Sequence, residues 1–71
     1  MYYNLTAEQV LAYLIEMLET DLTEIIDAEF KIEFMVGEWY AYIECLEVLL
    51  HWKKAKDFGL NYNPESKYNI I

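Results

Sequence analysis

The chain has 71 residues and a net charge of −8, with one cysteine and no arginine. A chain of this length forms at most one domain, which we expect to span residues 1–71. Direct nucleic-acid binding needs a basic surface and favours arginine for phosphate and guanine contacts, so the charge argues against that class of function. The same charge disfavours an anionic membrane surface as a partner.

The cysteine content and the hydropathy pattern bear on the compartment. Cys45 has no second cysteine to pair with in the chain, and a single free thiol fits a reducing environment. The first residues lack the basic region of a signal peptide, and no apolar run approaches the ~20 residues that a membrane span needs. We therefore expect a soluble protein of the cytoplasm.

The first predicted helix spans residues 6–20. Thr6 is a favourable N-cap residue, and Gln9 three residues later completes a capping-box pattern. The apolar residues that follow recur at helical spacing and define one face of the helix. These residues are Leu11, Leu14, Ile15, Leu18 and Leu22.

A second, long helix is predicted over residues 21–57, after a break near residues 20–21. Asp21 and Glu24 repeat the capping-box spacing at its start. Apolar residues then recur in steps of three and four, and only Glu29 interrupts the series. Such spacing places them on one stripe of a helix, as in the seam of a coiled coil.

Gly37 leaves two alternatives open within this segment. Glycine is unfavourable inside a helix and often marks a helix end, so a helix–loop–helix break is one alternative. The other is an α+β fold with a β-hairpin at residues 30–43, because polar and apolar residues alternate before a possible two-residue turn at Gly37-Glu38. The apolar stripe keeps its phase across Gly37, which favours a continuous helix.

Residues 59–71 are predicted to form an ordered tail. Gly59 suits the left-handed position that follows a helix end, and Leu60 is then placed to contact the helix. Asn63 is placed to cap a single short turn that starts at Pro64. Because the tail also contains several tyrosines and isoleucines, we expect it to dock on a helix surface.

The predicted fold is all-α: a helical hairpin with a short first helix, a long second helix and the tail docked on it. At ~1.5 Å per residue the second helix is about 54 Å long and the first about 21 Å, so the first covers less than half of the second. A second copy packed antiparallel would cover the rest, and two-fold dimers are the commonest assembly. The residues predicted at this homodimer or partner interface are Trp39, Tyr40, Tyr42, Ile43, Leu46, Leu50 and Trp52.

No catalytic pattern is visible in the sequence. Cys45 has acidic neighbours, whereas a reactive thiol needs a basic environment, and no nucleophile–base pair or phosphate-binding loop is present. Glu44, Glu47 and His51 are secondary candidates for metal ligands, but they lack the Glu-x-x-His spacing of carboxylate-bridged metal sites. We expect no enzyme activity and no cofactor, with these three residues on a solvated acidic strip.

The sequence favours a small acidic interaction protein that binds another protein and regulates or inhibits it. Tyrosine and tryptophan are abundant, and both are favoured at protein interfaces. The alternative is a mimic of DNA that inhibits a nucleic-acid enzyme, by analogy with small inhibitors encoded by phages and mobile elements. The acidic surface predicted for that role comprises Glu16, Glu19, Glu24 and Asp27.

Overall fold

The computed structural model describes residues 4–70. The helices that it contains are α1 (Ala7–Asp27), α2 (Glu33–Leu49) and α3 (Pro64–Lys67), with a short 3₁₀ helix at Ala55–Phe58. No residue between 4 and 70 lies in a strand. The predicted all-α class is therefore confirmed.

The start of α1 follows the local sequence signal. The side-chain hydroxyl of Thr6 accepts a hydrogen bond from the Gln9 amide at 3.1 Å. The Gln9 side chain accepts one in return from the Thr6 amide at 2.9 Å. This is the predicted capping box, and it satisfies two of the amides that a helix start leaves without a partner.

The predicted break near residues 20–21 is wrong, because α1 continues without interruption to Asp27. Leu18 and Leu22 are both buried and keep the apolar stripe in phase across the expected break. The Thr23 hydroxyl donates to the Glu19 carbonyl inside the helix, so the polar residues there extend the helix and do not cap a new one.

The chain leaves α1 at Ala28, whose backbone is extended, and the connection to α2 occupies residues 28–32. This loop contains Glu29, the one position that interrupts the apolar series. A turning segment does not need to present a residue to the core, so the gap in the series marks the loop. Lys31 donates to the Ala28 carbonyl and holds the loop at its start.

The second helix is much shorter than the predicted 21–57. It is continuous through Gly37, as expected, so both the β-hairpin at residues 30–43 and a break at the glycine are wrong. It ends at Leu49. The amides of His51 and Trp52 then donate hydrogen bonds to the carbonyls of Val48 and Leu49, three residues earlier, and form a tight turn. The last apolar residue of the series, Leu50, is the C-cap of α2, so the series ends with the helix and does not extend to residue 57.

The segment after α2 returns to the core. Gly59 has a φ of 87°, the left-handed conformation that was predicted, although it closes the 3₁₀ helix and not a long α-helix. Leu60 follows it and is 1% exposed. The Asn63 side chain accepts from the Ser66 amide and caps α3 in the predicted position.

One core joins all of these elements. The indole N–H of Trp39 on α2 donates to the backbone carbonyl of Tyr68, and both residues are buried. The buried apolar side chains come from both long helices and from the segment that follows them. They are Ile15, Leu18, Leu22, Ile25, Trp39, Ile43, Leu46, Leu49, Ala55, Leu60 and Tyr68.

The two glycines give a matched pair of stability predictions. A Cβ at Gly37 would meet no atom within 4 Å, and the position is helical. Gly37→Ala should therefore raise the free energy of unfolding by about 0.5–1 kcal/mol in a urea titration. Gly59→Ala should lower it by about 1 kcal/mol, because alanine disfavours the left-handed conformation. A loss of stability in Gly37→Ala would contradict a continuous α2.

Candidate functional site

The segment that follows α2 covers one side of α1. Lys54 forms an ion pair with Glu8 at 3.1 Å, and the Tyr62 hydroxyl donates to the Glu19 carboxylate. Glu8 and Glu19 are three helical turns apart, so these contacts lie along one side of the helix. We call the side of the α1–α2 pair that carries these contacts the back side.

Tyr62 is held on the back side by several groups. Burial raises the pKa of its hydroxyl well above the ordinary value, and the hydrogen bond to Glu19 raises it further. Its ring meets the ring of Tyr68 edge to face at 6.0 Å. The Lys67 ammonium lies 4.2 Å from the Tyr62 ring centroid, a cation–π distance. The tail is therefore fixed on the back side by polar and aromatic contacts together.

The opposite side of the helix pair carries exposed apolar residues. Val10, Leu14 and Met17 recur at the spacing of one helical stripe on α1, and all three are exposed. Across from them on α2, a groove of about 470 Å³ is lined by Leu14 of α1 together with Ala41, Glu44, Cys45, Val48 and Leu49. We call the surface formed by Val10, Leu14, Met17, Ala41, Cys45 and Val48 the front face.

Carboxylates lie at the other end of the helix pair, close to the connecting loop. Asp21 and Glu24 of α1 line a depression of about 290 Å³ with Glu38 and Tyr42 of α2. The Tyr42 hydroxyl donates to Glu38 at 3.3 Å. Desolvation and the Glu38 carboxylate raise the pKa of this tyrosine. We call Asp21, Glu24 and Glu38 the acidic end.

The predicted interface residues are divided between the core and the surface. The structure places Trp39, Ile43 and Leu46 in the core of the single chain, so they are not available to a partner. Tyr42 and Trp52 are partly buried against that core. The exposed members of the set are Tyr40 and Leu50. The apolar series identified buried positions correctly but could not tell burial within the chain from burial by a second copy.

The long helix whose uncovered aromatic half predicted a dimer is absent from the structure. That helix was expected to be about 54 Å long, whereas α2 ends at Leu49. The residues after Leu49 cover part of α2 themselves. One apolar surface that these residues leave uncovered is the front face, which was not predicted from the sequence. Its signal in the sequence was the stripe Val10, Leu14 and Met17 on α1. Of these only Leu14 was assigned to the predicted apolar face, and the structure leaves it exposed.

A further exposed apolar group lies at the α1–α2 connection. Phe30 is 78% exposed, Ile32 60% and Phe34 72%. We call these three residues the tip. They are the residues whose alternation suggested a β-hairpin, and they lie in the connecting loop and the first turn of α2, outside the buried core.

The predicted acidic surface is only partly free. Glu19 accepts the hydrogen bond from Tyr62 on the back side, so it contributes to docking of the tail. Glu16, Glu24 and Asp27 are exposed. Glu16, Glu19 and Glu24 line one shallow depression with two threonines of α1.

The structure does not bring the metal-ligand candidates together. His51 lies in the turn after α2, so its four-residue spacing from Glu47 is not a helical spacing. Glu44 faces the groove on the front face. Within residues 4–70, no group of three His, Cys, Asp or Glu side chains is arranged to hold a metal ion.

Comparisons with known proteins identified no relative of this chain. No protein-family model, curated protein sequence or solved structure matches this chain. Between residues 4 and 70, no helix combines the length and the apolar composition that crossing a bilayer requires.

Tyr62→Phe tests how the tail is held. The variant loses the hydroxyl that donates to Glu19, so its free energy of unfolding at pH 7 should fall by about 1 kcal/mol. Above pH ~10 the unfolded wild-type chain loses the Tyr62 proton, whereas the folded chain keeps it, so wild-type stability falls as the pH rises. The difference between wild type and variant should therefore shrink above pH ~10.

Urea titrations at pH 7 and at alkaline pH measure both effects. Tyr40→Phe is the control, because it removes a hydroxyl from an exposed tyrosine on α2. Equal stability losses in the two variants at pH 7 would contradict a specific role for the Tyr62–Glu19 hydrogen bond.

Proposed function

We propose that this chain is a non-enzymatic interaction protein that binds another protein and regulates or inhibits it. The observation that supports the proposal is the groove on the front face, whose lining is largely apolar and open to solvent. Val48 is 69% exposed there. Exposed apolar surface of this kind is typical of sites where a partner binds.

The proposal includes a helical hairpin as the scaffold of the site. Leu14, early in α1, lines a groove with Val48, late in α2. Ile25, late in α1, lines the depression that also includes Met35, early in α2. Two antiparallel helices joined by a short loop account for both pairings. A rigid scaffold of this kind would present the front face without requiring a change of shape on binding.

Substitutions on two sides of α2 test the proposal. Ala41→Arg places a long charged side chain in the groove, whereas Tyr40→Arg places the same side chain at an exposed position away from the groove lining. In affinity purification from cells that encode the chain, a specific partner should be retained by wild type and by Tyr40→Arg. The amount of partner captured by Ala41→Arg should be at least tenfold lower than the amount captured by wild type.

The folded state of each variant is checked by circular dichroism and by a urea titration. Equal capture of the partner by both variants would contradict binding through the front face. Failure of all three proteins to retain a partner would contradict the proposed function.

Mimicry of DNA is the second candidate, favoured by carboxylates without compensating cations. Within residues 4–70 the only ion pair joins Lys54 to Glu8, on the back side. Glu16, Glu24 and Asp27 are thus exposed anions along α1. The same purification separates the two functions, because mimicry predicts that 0.5 M salt releases the partner. Apolar docking on the front face predicts that the partner is retained at that salt concentration.

A homodimer is the proposed assembly, with contact at the tip. Phe30, Ile32 and Phe34 are the most exposed large apolar residues of their segment. Lys31 lies among them between two glutamates, Glu29 and Glu33, so a cation offsets part of the acidic charge there. Two tips that pack by two-fold symmetry would bury these side chains with little electrostatic repulsion.

Sedimentation equilibrium at micromolar concentration tests the assembly. Wild type and Val48→Asp should sediment as dimers, and Phe34→Asp should sediment as a monomer because a charge is then buried at the contact. A monomeric wild-type protein would contradict the homodimer and leave the front-face proposal to its own test.

A further inference from the structure

The groove and the acidic end are parts of one continuous stripe on α1. Leu14, Met17, Asp21 and Glu24 recur in steps of three and four, so they follow one another along a single side of the helix. Leu14 lines the groove, and Asp21 and Glu24 line the depression at the acidic end. The surface therefore changes from apolar to anionic over ten residues, about 15 Å at ~1.5 Å per residue.

The facing stripe on α2 has the same organisation. Glu38, Ala41, Cys45 and Val48 also recur in steps of three and four. Glu38 lies at the acidic end, and the other three line the groove. The two stripes together form a trough between α1 and α2, and we use that word for these eight residues only. The trough is apolar at one end and anionic at the other.

The small residues of the trough permit close approach. Ala41 and Cys45 lie where a third helix would cross α2, and small side chains allow helix axes to come within the usual 8–10 Å of each other. A length of about 15 Å corresponds to roughly ten residues of an added helix. A helix that binds in a groove presents apolar residues at i, i+3 or i+4 and i+7. The trough residues recur at the same steps of three and four along α1 and α2.

The carboxylates at one end of the trough determine which kind of helix can bind there. Asp21, Glu24 and Glu38 contribute three carboxylates at one end, and the one ion pair within residues 4–70 lies elsewhere, on the back side. A second copy of this chain would bring its own net charge of −8 against them, which is unfavourable. A partner with lysine or arginine at one end would instead gain attraction and specificity of orientation.

We propose that the trough binds an amphipathic helix of another protein, with apolar residues that fill the groove and with lysine or arginine residues that contact the acidic end. The inference rests on the proposed function and narrows the partner to one chemical class. The apolar part supplies the contact area, and the charged part fixes which way the bound helix runs.

A display selection with the full chain tests the inference. The probe is a library of random 16-residue peptides, selected on immobilised wild-type protein at low salt. Selected peptides should carry apolar residues at i, i+3 or i+4 and i+7 and at least two lysines or arginines toward one end. Their binding to Ala41→Arg should fall at least tenfold, because the groove is then occupied by a charged side chain.

Two charge reversals form the matched pair for the acidic end. Glu24→Lys lies in the trough, and Glu47→Lys makes the same change at an exposed position of α2 that lines no depression with a trough residue. The first should weaken peptide binding threefold or more at low salt, with a smaller effect at 0.5 M salt. The second should leave the affinity within twofold of wild type.

Cys45 provides a test that needs no substitution. It is the only cysteine of the chain and is exposed in the trough. A bound peptide should slow alkylation of Cys45 by N-ethylmaleimide at least fivefold in folded wild-type protein. An unchanged alkylation rate under saturating peptide would overturn binding in the trough.

The outcomes separate this inference from the proposed function. Peptides that need the groove but carry no basic residues, or that bind Glu24→Lys and wild type equally, would overturn the inference and leave the proposed function intact. A selection that yields no peptide sensitive to Ala41→Arg would also overturn the inference. The proposed function is overturned only if the cellular partner fails to depend on the front face.

Discussion

The hydrogen bond from the Trp39 indole to the Tyr68 carbonyl is the contact on which the arrangement of this molecule depends. It joins residues 29 positions apart, and both of them are buried. A buried donor or acceptor left without its partner costs about 1–3 kcal/mol, so the tail cannot leave α2 without a penalty. Because the tail packs on the back side, the apolar residues of the front face have no cover within the described chain.

This arrangement explains why a small chain has an exposed apolar surface at all. The described chain extends over 38 × 27 × 16 Å. A chain of this size buries a limited core. Because the tail packs on the back side, no other segment of residues 4–70 remains to cover the front face.

Local signals predicted local structure well. The capping box at Thr6, the left-handed Gly59 and the Asn63 cap were all identified from a few neighbouring residues, because each depends on hydrogen bonds or backbone conformation within one turn. The phase of the apolar series also predicted correctly that α2 continues through Gly37.

Predictions that depended on tertiary packing were less successful. Asp21 and Glu24 have cap spacing, but they lie inside α1 and at the acidic end, where their carboxylates face the depression beside α2. The end of α2 was placed too late because Gly59 suggested the end of a long helix, whereas it closes the separate 3₁₀ helix Ala55–Phe58. The apolar periodicity also led to the prediction that Ile43 lies at an interface. The periodicity of one sequence cannot distinguish a residue buried in the core of its own chain from one buried against another chain.

The arrangement predicts which methyl groups solvent can reach, and a soluble paramagnetic gadolinium complex measures this directly by methyl NMR. The methyl groups of Val10, Leu14 and Val48 on the front face should relax strongly in its presence. Those of Leu22, Leu46 and Leu60, each 1% exposed or less, should be protected. Protection of the front-face methyl groups at a concentration where the protein is monomeric, together with strong relaxation of Leu60, would contradict the account, because the tail would then lie on the opposite side of the helix pair.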